Sequence, residues 1–200
     1  MTEKSARSLR WRVIDIVVAS VLGVAVGLLF VFWNFAGYAW FSAMDAFTPG
    51  FGGIAVGVWL IGGVLGGLII RKPGAALYVE TLAATVSMLL GSQWAVETIF
   101  SGLVQGLGAE LIFLLFFYRR FGVVIAMLAG IGSAIAAWTI ELFLSANIEM
   151  GVGFLAIYLI ALVISGALLA GLLGWLLTRA LAATGALNRF AAGREVRGVS

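Results

Sequence analysis

The sequence predicts an all-α integral membrane protein, a compact bundle of six transmembrane helices with both termini on the cytoplasmic side. Three observations predict it: an extreme composition, six apolar runs of spanning length, and one-sided placement of the cations. Of the 200 residues, 63% are hydrophobic and 10% charged, and the mean hydropathy is +1.16. Soluble domains carry about 25% charged residues, so the solvent for this surface is the bilayer. A spanning helix needs roughly 20 mostly apolar residues. Such runs are expected at about 12–35, 52–70, 75–91, 98–118, 121–144 and 153–178, with a cytoplasmic tail over about 180–200, all forming one membrane domain over residues 1–200.

Each run is bounded by chemistry that stops a buried helix. The first starts after a basic segment and ends before DAFTPGFGG. Its apolar stretch, Val13 to Val31, exceeds the 7–15 residues of a signal-peptide core and is read as a retained helix. RKPG (71–74) closes the second run, and its proline and glycine suit a sharp reversal into the third. GSQWAVE ends the short third run, YRRFG the fourth and SANIEMGVG the fifth.

Six spans place all 12 Lys and Arg residues on one side: Lys4, Arg7, Arg10 and Arg12 before the first span, Arg71 and Lys72 after the second, Arg119 and Arg120 after the fourth, and Arg179, Arg189, Arg194 and Arg197 after the sixth. Cytoplasmic loops are enriched in such residues, which makes that side cytoplasmic. The opposite loops carry Asp45, Glu97 and Glu149 and no cation. The basic pI of about 9.7 therefore reports topology and no nucleic-acid partner is expected.

Several function classes drop out. The chain has no cysteine and no histidine, so disulfides, thiolate chemistry and the usual zinc, copper and haem ligand sets are absent. No P-loop motif, H-E-x-x-H or G-x-S-x-G is present, and an enzyme is not expected. A small bundle without an engine points to a partner that supplies energy.

Small residues recur at four-residue spacing: Ala19, Gly23 and Gly27 in the first span, Gly62 with Gly66 and Gly63 with Gly67 in the second, Gly102 and Gly106 in the fourth, Gly166, Ala170 and Gly174 in the sixth. Such faces let helix backbones approach in lipid. They either pack the bundle internally or, for the Ala19–Gly23–Gly27 face, dock a second membrane subunit.

Charge inside the spans marks candidate function, because an ionised group at mid-bilayer costs a few kcal/mol. Glu80, Glu110 and Glu141 fall within spans, and Asp15 lies near the inner end of the first. No Lys or Arg lies deep in any span, so the acids are protonated, share hydrogen bonds, or await a cationic ligand. Gln105 either bonds helix to helix or reads a polar heterocycle. Trp33, Tyr38, Trp40 and Trp94 gather at outer span ends, Trp59 and Trp138 lie inside spans, and Asn34 and Tyr78 neighbour these groups in sequence. Trp11 and Trp175 suit the inner interface belt. Tryptophan faces hold flat cations with up to about 2 kcal/mol when desolvated. Acids and tryptophans at one mouth describe a pocket for a flat, positively charged heterocycle. The candidate ligand-binding set is Glu80, Gln105, Glu110, Glu141, Trp59, Trp94, Trp138, Tyr78, Trp33 and Asn34.

The segments RKPGAAL (71–77), GLVQGLGAE (102–110), LAGIGSA (128–134), SGALLAGLLG (165–174) and TGALN (184–188) resemble the YkoE family, substrate-binding S components of energy-coupling factor (ECF) transporters. The resemblance covers about residues 50–195. It implies a six-helix bundle in the bacterial plasma membrane and a site opening outward. It also implies thiamine or its hydroxymethylpyrimidine precursor as ligand, and a transmembrane T component with ABC ATPases as partners. The chain itself would then need no cofactor, ATP being used by the partners. Ala19, Gly23 and Gly27 match the family's T-component face, and Glu80, Gln105 and Glu110 sit within the matching motifs. Trp59, Trp94, Trp138 and Glu141 rest on the residues alone. Thiamine, a permanent cation, accounts for the unpaired acids better than its neutral precursor does. Two other classes compete: a stand-alone proton- or cation-coupled carrier, and a structural membrane assembly protein.

Overall fold

The computed structural model describes residues 9–198; Lys4 and Arg7 lie outside the described residues. The elements are helical throughout. In chain order they are α1 (Val13–Phe47), a 3-10 segment (Phe51–Leu60), α2 (Ile61–Ile70), α3 (Ala75–Leu89), α4 (Glu97–Leu115), α5 (Val123–Leu144), a short 3-10 turn (Asn147–Met150), α6 (Gly151–Ser165), a π-helical stretch (Gly166–Leu172), α7 (Leu173–Ala183) and α8 (Ala191–Val196). Among the described residues five rods are long and apolar enough to cross a membrane: α1, the 3-10 segment with α2, α4, α5, and the run Asn147–Ala183. α3 is apolar but shorter, at 15 residues.

α2 is the axis of the bundle. Every residue from Ile61 to Ile70 is buried, as expected of a helix apolar on all sides. Its glycines let neighbours approach: a Cβ at Gly67 would overlap the Phe113 ring, and one at Gly66 would stand 2.8 Å from the Val79 side chain. α3 packs between α1 and α4, and α5 follows on α4. The main core joins Leu60, Val64 and Leu68 to Phe113, Ala126, Ala129 and Leu162.

Four boundaries differ from expectation. α1 continues to Phe47, because no Gly or Pro interrupts YAWFSAMDAF before Pro49 and Gly50; its 35 residues reach about 52 Å at 1.5 Å per residue, beyond a hydrocarbon core of about 30 Å. α4 ends at Leu115, since Phe117 and Tyr118 both take left-handed backbone (φ 53°). The second span is not one α-helix, since its first ten residues wind as 3-10. Finally, the C-terminal segment is no free tail. Leu187, Phe190 and Ala192 are buried with Ala19, Ile69, Ile70, Ala75 and Val79, which closes the end of the bundle that carries the RKPG turn.

The small face of α1 is internal. A Cβ at Gly23 would meet Leu82 at 2.7 Å, and one at Gly27 would meet Val86 at 2.6 Å, while Ala19 is fully buried. These residues seat α1 on α3 within the chain, the internal packing that the sequence left open beside docking of a second membrane subunit.

Candidate functional site

A cavity of about 410 Å³ occupies the end of the bundle opposite the RKPG turn. Its walls come from the last half of α1, the 3-10 segment, the end of α3, the start of α4, the end of α5 and the start of α6. On α1 the lining residues Phe30, Asn34, Tyr38, Phe41 and Asp45 form one stripe at the three- and four-residue steps of a helix face. The aromatics make a box. Trp59 stands edge-to-face with Trp94 (5.6 Å between centroids, 89°), Tyr38 edge-to-face with Trp94 (5.7 Å), and Phe154 stacks on Tyr158 (5.6 Å, 19°).

Three carboxylates line the same cavity: Asp45, Glu97 and Glu141. Asp45 accepts the Gly50 N–H at 2.8 Å, and Glu141 accepts the Tyr158 hydroxyl at 2.5 Å. No Lys or Arg is among the lining residues. The uncharged polar lining, beside the tyrosines and tryptophans, is Asn34, Ser87, Thr98, Ser101, Gln105, Ser145 and Asn147. Gln105 accepts the Ser133 hydroxyl at its backbone carbonyl at 2.8 Å. Chemically, the arrangement offers negative charge, aromatic faces and a few neutral donors and acceptors.

Of the ten residues expected to bind ligand, five line this cavity: Asn34, Trp59, Trp94, Gln105 and Glu141. The other five lie elsewhere. Glu110 is a helix cap: its carboxylate accepts the N–H groups of Gly74 (2.7 Å), Ala76 (2.9 Å) and Leu77 (3.3 Å) at the start of α3 and the Tyr118 hydroxyl at 2.6 Å. Burial and this carboxylate push the Tyr118 phenol above its ordinary range. Glu80 is fully buried, one helical turn before the lining residue Ala84, and accepts the Gly63 N–H at 2.5 Å. Tyr78 shares a 2.7 Å hydrogen bond with Ser20 and packs on Trp11 at the opposite end. Trp33 donates to the Ala55 carbonyl at 3.0 Å behind the Trp59 ring, and Trp138 donates to the Leu155 carbonyl at 3.2 Å. Asp15, near the inner end of α1, is fully buried, with Lys72 and Arg12 as ion-pair partners.

Sequence reasoning left Asp45 and Glu97 as outer-loop acids and did not single out Tyr158, Phe41 or Ser87. The α1 stripe was a readable signal for Phe41 and Asp45, had the first helix been carried past residue 35. Tyr158 is a lone phenol in an apolar run, and only the fold pairs it with Glu141.

A membrane-embedded helical bundle with a closed end, an acidic aromatic cavity at the other and no nucleotide motif defines a solute-binding membrane subunit. The comparisons agree. The chain is 39% identical over 191 residues (94% of this chain and 92% of the relative) to the protein of Bacillus subtilis (strain 168) named HMP/thiamine permease protein YkoE. It superposes with a TM-score of 0.80 on a crystal structure of an S-component of an ECF transporter, at 37% identity and 94% coverage of both chains. Residues 14–136 match the family described as ABC-type cobalt transport system, permease component. The chain belongs to the YkoE family and is a substrate-binding S component of an ECF transporter, a multi-pass protein of the bacterial plasma membrane.

Proposed function

We propose that this S component captures thiamine from outside the cell and passes it to a T component and ATP-hydrolysing subunits. The observation that carries the ligand is the cavity's lining: three carboxylates, no cation, and an aromatic box. Thiamine's thiazolium supplies the positive charge these acids lack, and its two flat rings suit tryptophan and tyrosine faces. The amide of Gln105 and the hydroxyls of Ser101 and Thr98 match the donors and acceptors of the aminopyrimidine. The name of the Bacillus relative, HMP/thiamine permease, points the same way. Hydroxymethylpyrimidine fits the neutral groups but leaves the carboxylates without a counter-charge. Cobalt, named in the matching family description, finds no imidazole or thiolate in a chain without His or Cys.

In this reading six spans cross the bilayer, α3 being the short third, with the RKPG end and the C-terminal segment cytoplasmic and the cavity facing outward. The chain needs no cofactor of its own; ATP belongs to the partner subunits. Isothermal titration of the purified chain with thiamine, hydroxymethylpyrimidine and thiamine phosphates tests the ligand. Thiamine binds tightest if the reading is right; no affinity for thiamine or its precursor rejects it. Uptake driven by a proton gradient in vesicles holding this chain alone would instead favour a stand-alone carrier.

A further inference from the structure

The cavity wall formed by the 3-10 segment is unusual. Runs of 3-10 helix longer than three or four residues are uncommon, and this one has ten. Its two lining residues, Val56 and Trp59, are three apart. In 3-10 winding such residues eclipse, so both face the cavity; α winding would turn one from the other by about 60° and shorten ten residues by about 5 Å. The shape of the site therefore depends on how this segment is wound.

One face of α3 meets this wall twice. Ser87 accepts from the Asn34 amide at 3.0 Å, and the Asn34 carbonyl oxygen accepts from Trp59 Nε1 at 2.9 Å, so Ser87 fixes the ring through Asn34. Glu80, seven residues and two turns earlier on the same face, accepts the Gly63 N–H in the first turn of α2, just past the point where winding changes from 3-10 to α. A Cβ at Gly62 would lie 2.8 Å from the same Glu80 oxygen, so the carboxyl is lodged against the junction. Glu80 Oε1 is buried without a partner, and no lining residue of the cavity is Glu80. A carboxyl in this position serves as an acceptor for backbone and not as a counter-charge for cargo.

We propose that Glu80 is a positioning residue for the ligand site. With Ser87 it holds the 3-10 to α junction and the Trp59 ring in the register that lets Val56 and Trp59 form one cavity wall. This rests on the cavity being the thiamine site.

The test uses the full chain in lipid nanodiscs, with thiamine calorimetry, near-ultraviolet circular dichroism for tryptophan packing, and far-ultraviolet circular dichroism for helix content. Glu80→Gln keeps an oxygen for the Gly63 N–H and is expected to bind thiamine within threefold of wild type. Glu80→Leu removes the acceptor at similar volume and is expected to weaken binding tenfold or more and alter the tryptophan signal, with helix content retained. Ser87→Ala, the milder variant should the leucine protein not fold, is expected to weaken binding several-fold and alter the same signal. Wild-type affinity and an unchanged tryptophan signal in Glu80→Leu or Ser87→Ala overturns the proposal, and so does a Glu80→Gln as weak as Glu80→Leu, which would make the charge the determinant. If wild type binds neither thiamine nor its precursor, the ligand reading fails, while the tryptophan signal still decides the positioning role.

Discussion

Glu110 separates a structural acid from a ligand-binding one, and the consequence can be worked out. Truncation to alanine removes four hydrogen bonds at once, to Gly74, Ala76, Leu77 and Tyr118. The Gly74 and Leu77 N–H groups are on partly exposed residues and recover water. Ala76 is fully buried and Tyr118 is 7% exposed, so these two donors lose their acceptor inside the protein. An orphaned buried donor costs about 1–3 kcal/mol, giving roughly 2–6 kcal/mol for the pair. A loss near ~3 kcal/mol lowers the melting temperature of a chain this size by roughly 6–12 °C. Glu110→Gln keeps one acceptor oxygen but turns an amide toward backbone donors, and about half the loss is expected. Affinity behaves differently. The nearest cavity residue on α4 is Gln105, five residues and about 7.5 Å further along the helix. Thiamine binding by the folded protein is therefore expected to stay within threefold. The assay pairs thermal unfolding in nanodiscs with calorimetry below the transition. A Glu110→Gln protein with wild-type melting and a tenfold loss of thiamine affinity would refute the capping role.

Glu141→Gln keeps the hydrogen bond with Tyr158 but removes a charge from the cavity; a unit charge about 5 Å away is worth roughly 3 kcal/mol at an effective dielectric of 20. Shared among three acids and screened by the mouth, this becomes ~1–2 kcal/mol, a five- to thirtyfold loss for thiamine, with hydroxymethylpyrimidine affinity changed less than threefold by calorimetry. Thiamine phosphates are expected to bind at least tenfold more weakly than thiamine in the same titration, because phosphate meets Asp45, Glu97 and Glu141 with no lining cation. Gly27→Leu is expected to lower the melting temperature of the chain without any partner subunit, because overpacking against Val86 and Ala83 costs about 1–3 kcal/mol or more; unchanged melting with impaired assembly would return that face to an interface role.

The all-helical membrane fold was legible because lipid leaves few alternatives: backbone groups must be satisfied within each span, and hydropathy marks the long apolar helices. The candidate site was half legible. Trp59, Trp94, Gln105, Glu141 and Asn34 carry side chains too polar or too amphipathic for plain lipid contact, and they do line the cavity. Glu80 and Glu110 gave the same signal for another reason. A carboxylate can be satisfied by backbone N–H groups at a helix start, and no spacing in the sequence shows that the α3 N-terminus will fold against Glu110. The small face of α1 was ambiguous for a related reason: the same residues suit an internal neighbour and an external one. The 3-10 winding of Phe51–Leu60 was not legible at all, since its apolar, glycine-rich run reads equally as α-helix.

The two ends of the bundle handle charge in opposite ways, and this asymmetry supports the cavity as the ligand site proposed above. At the RKPG end Asp15 and Glu110 are matched within the chain. Asp15 pairs with Lys72 and Arg12, Glu110 takes three backbone N–H groups and a phenol, and Arg71 pairs with Glu195 at 2.6 Å while lying over Phe121. At the cavity end Asp45, Glu97 and Glu141 face one space, and among the described residues none has a cationic partner. Gathering three acids with no counter-charge is unfavourable in the empty protein, because like charges in a low-dielectric cleft repel. The fold nevertheless places them together at an aromatic box. A permanent cation entering the cavity relieves that repulsion, and an incoming anion deepens it. Of the three fates open to an intramembrane acid, Glu110 and Asp15 take hydrogen bonds and ion pairs within the chain, and the proposed thiazolium would answer the acids of this cluster.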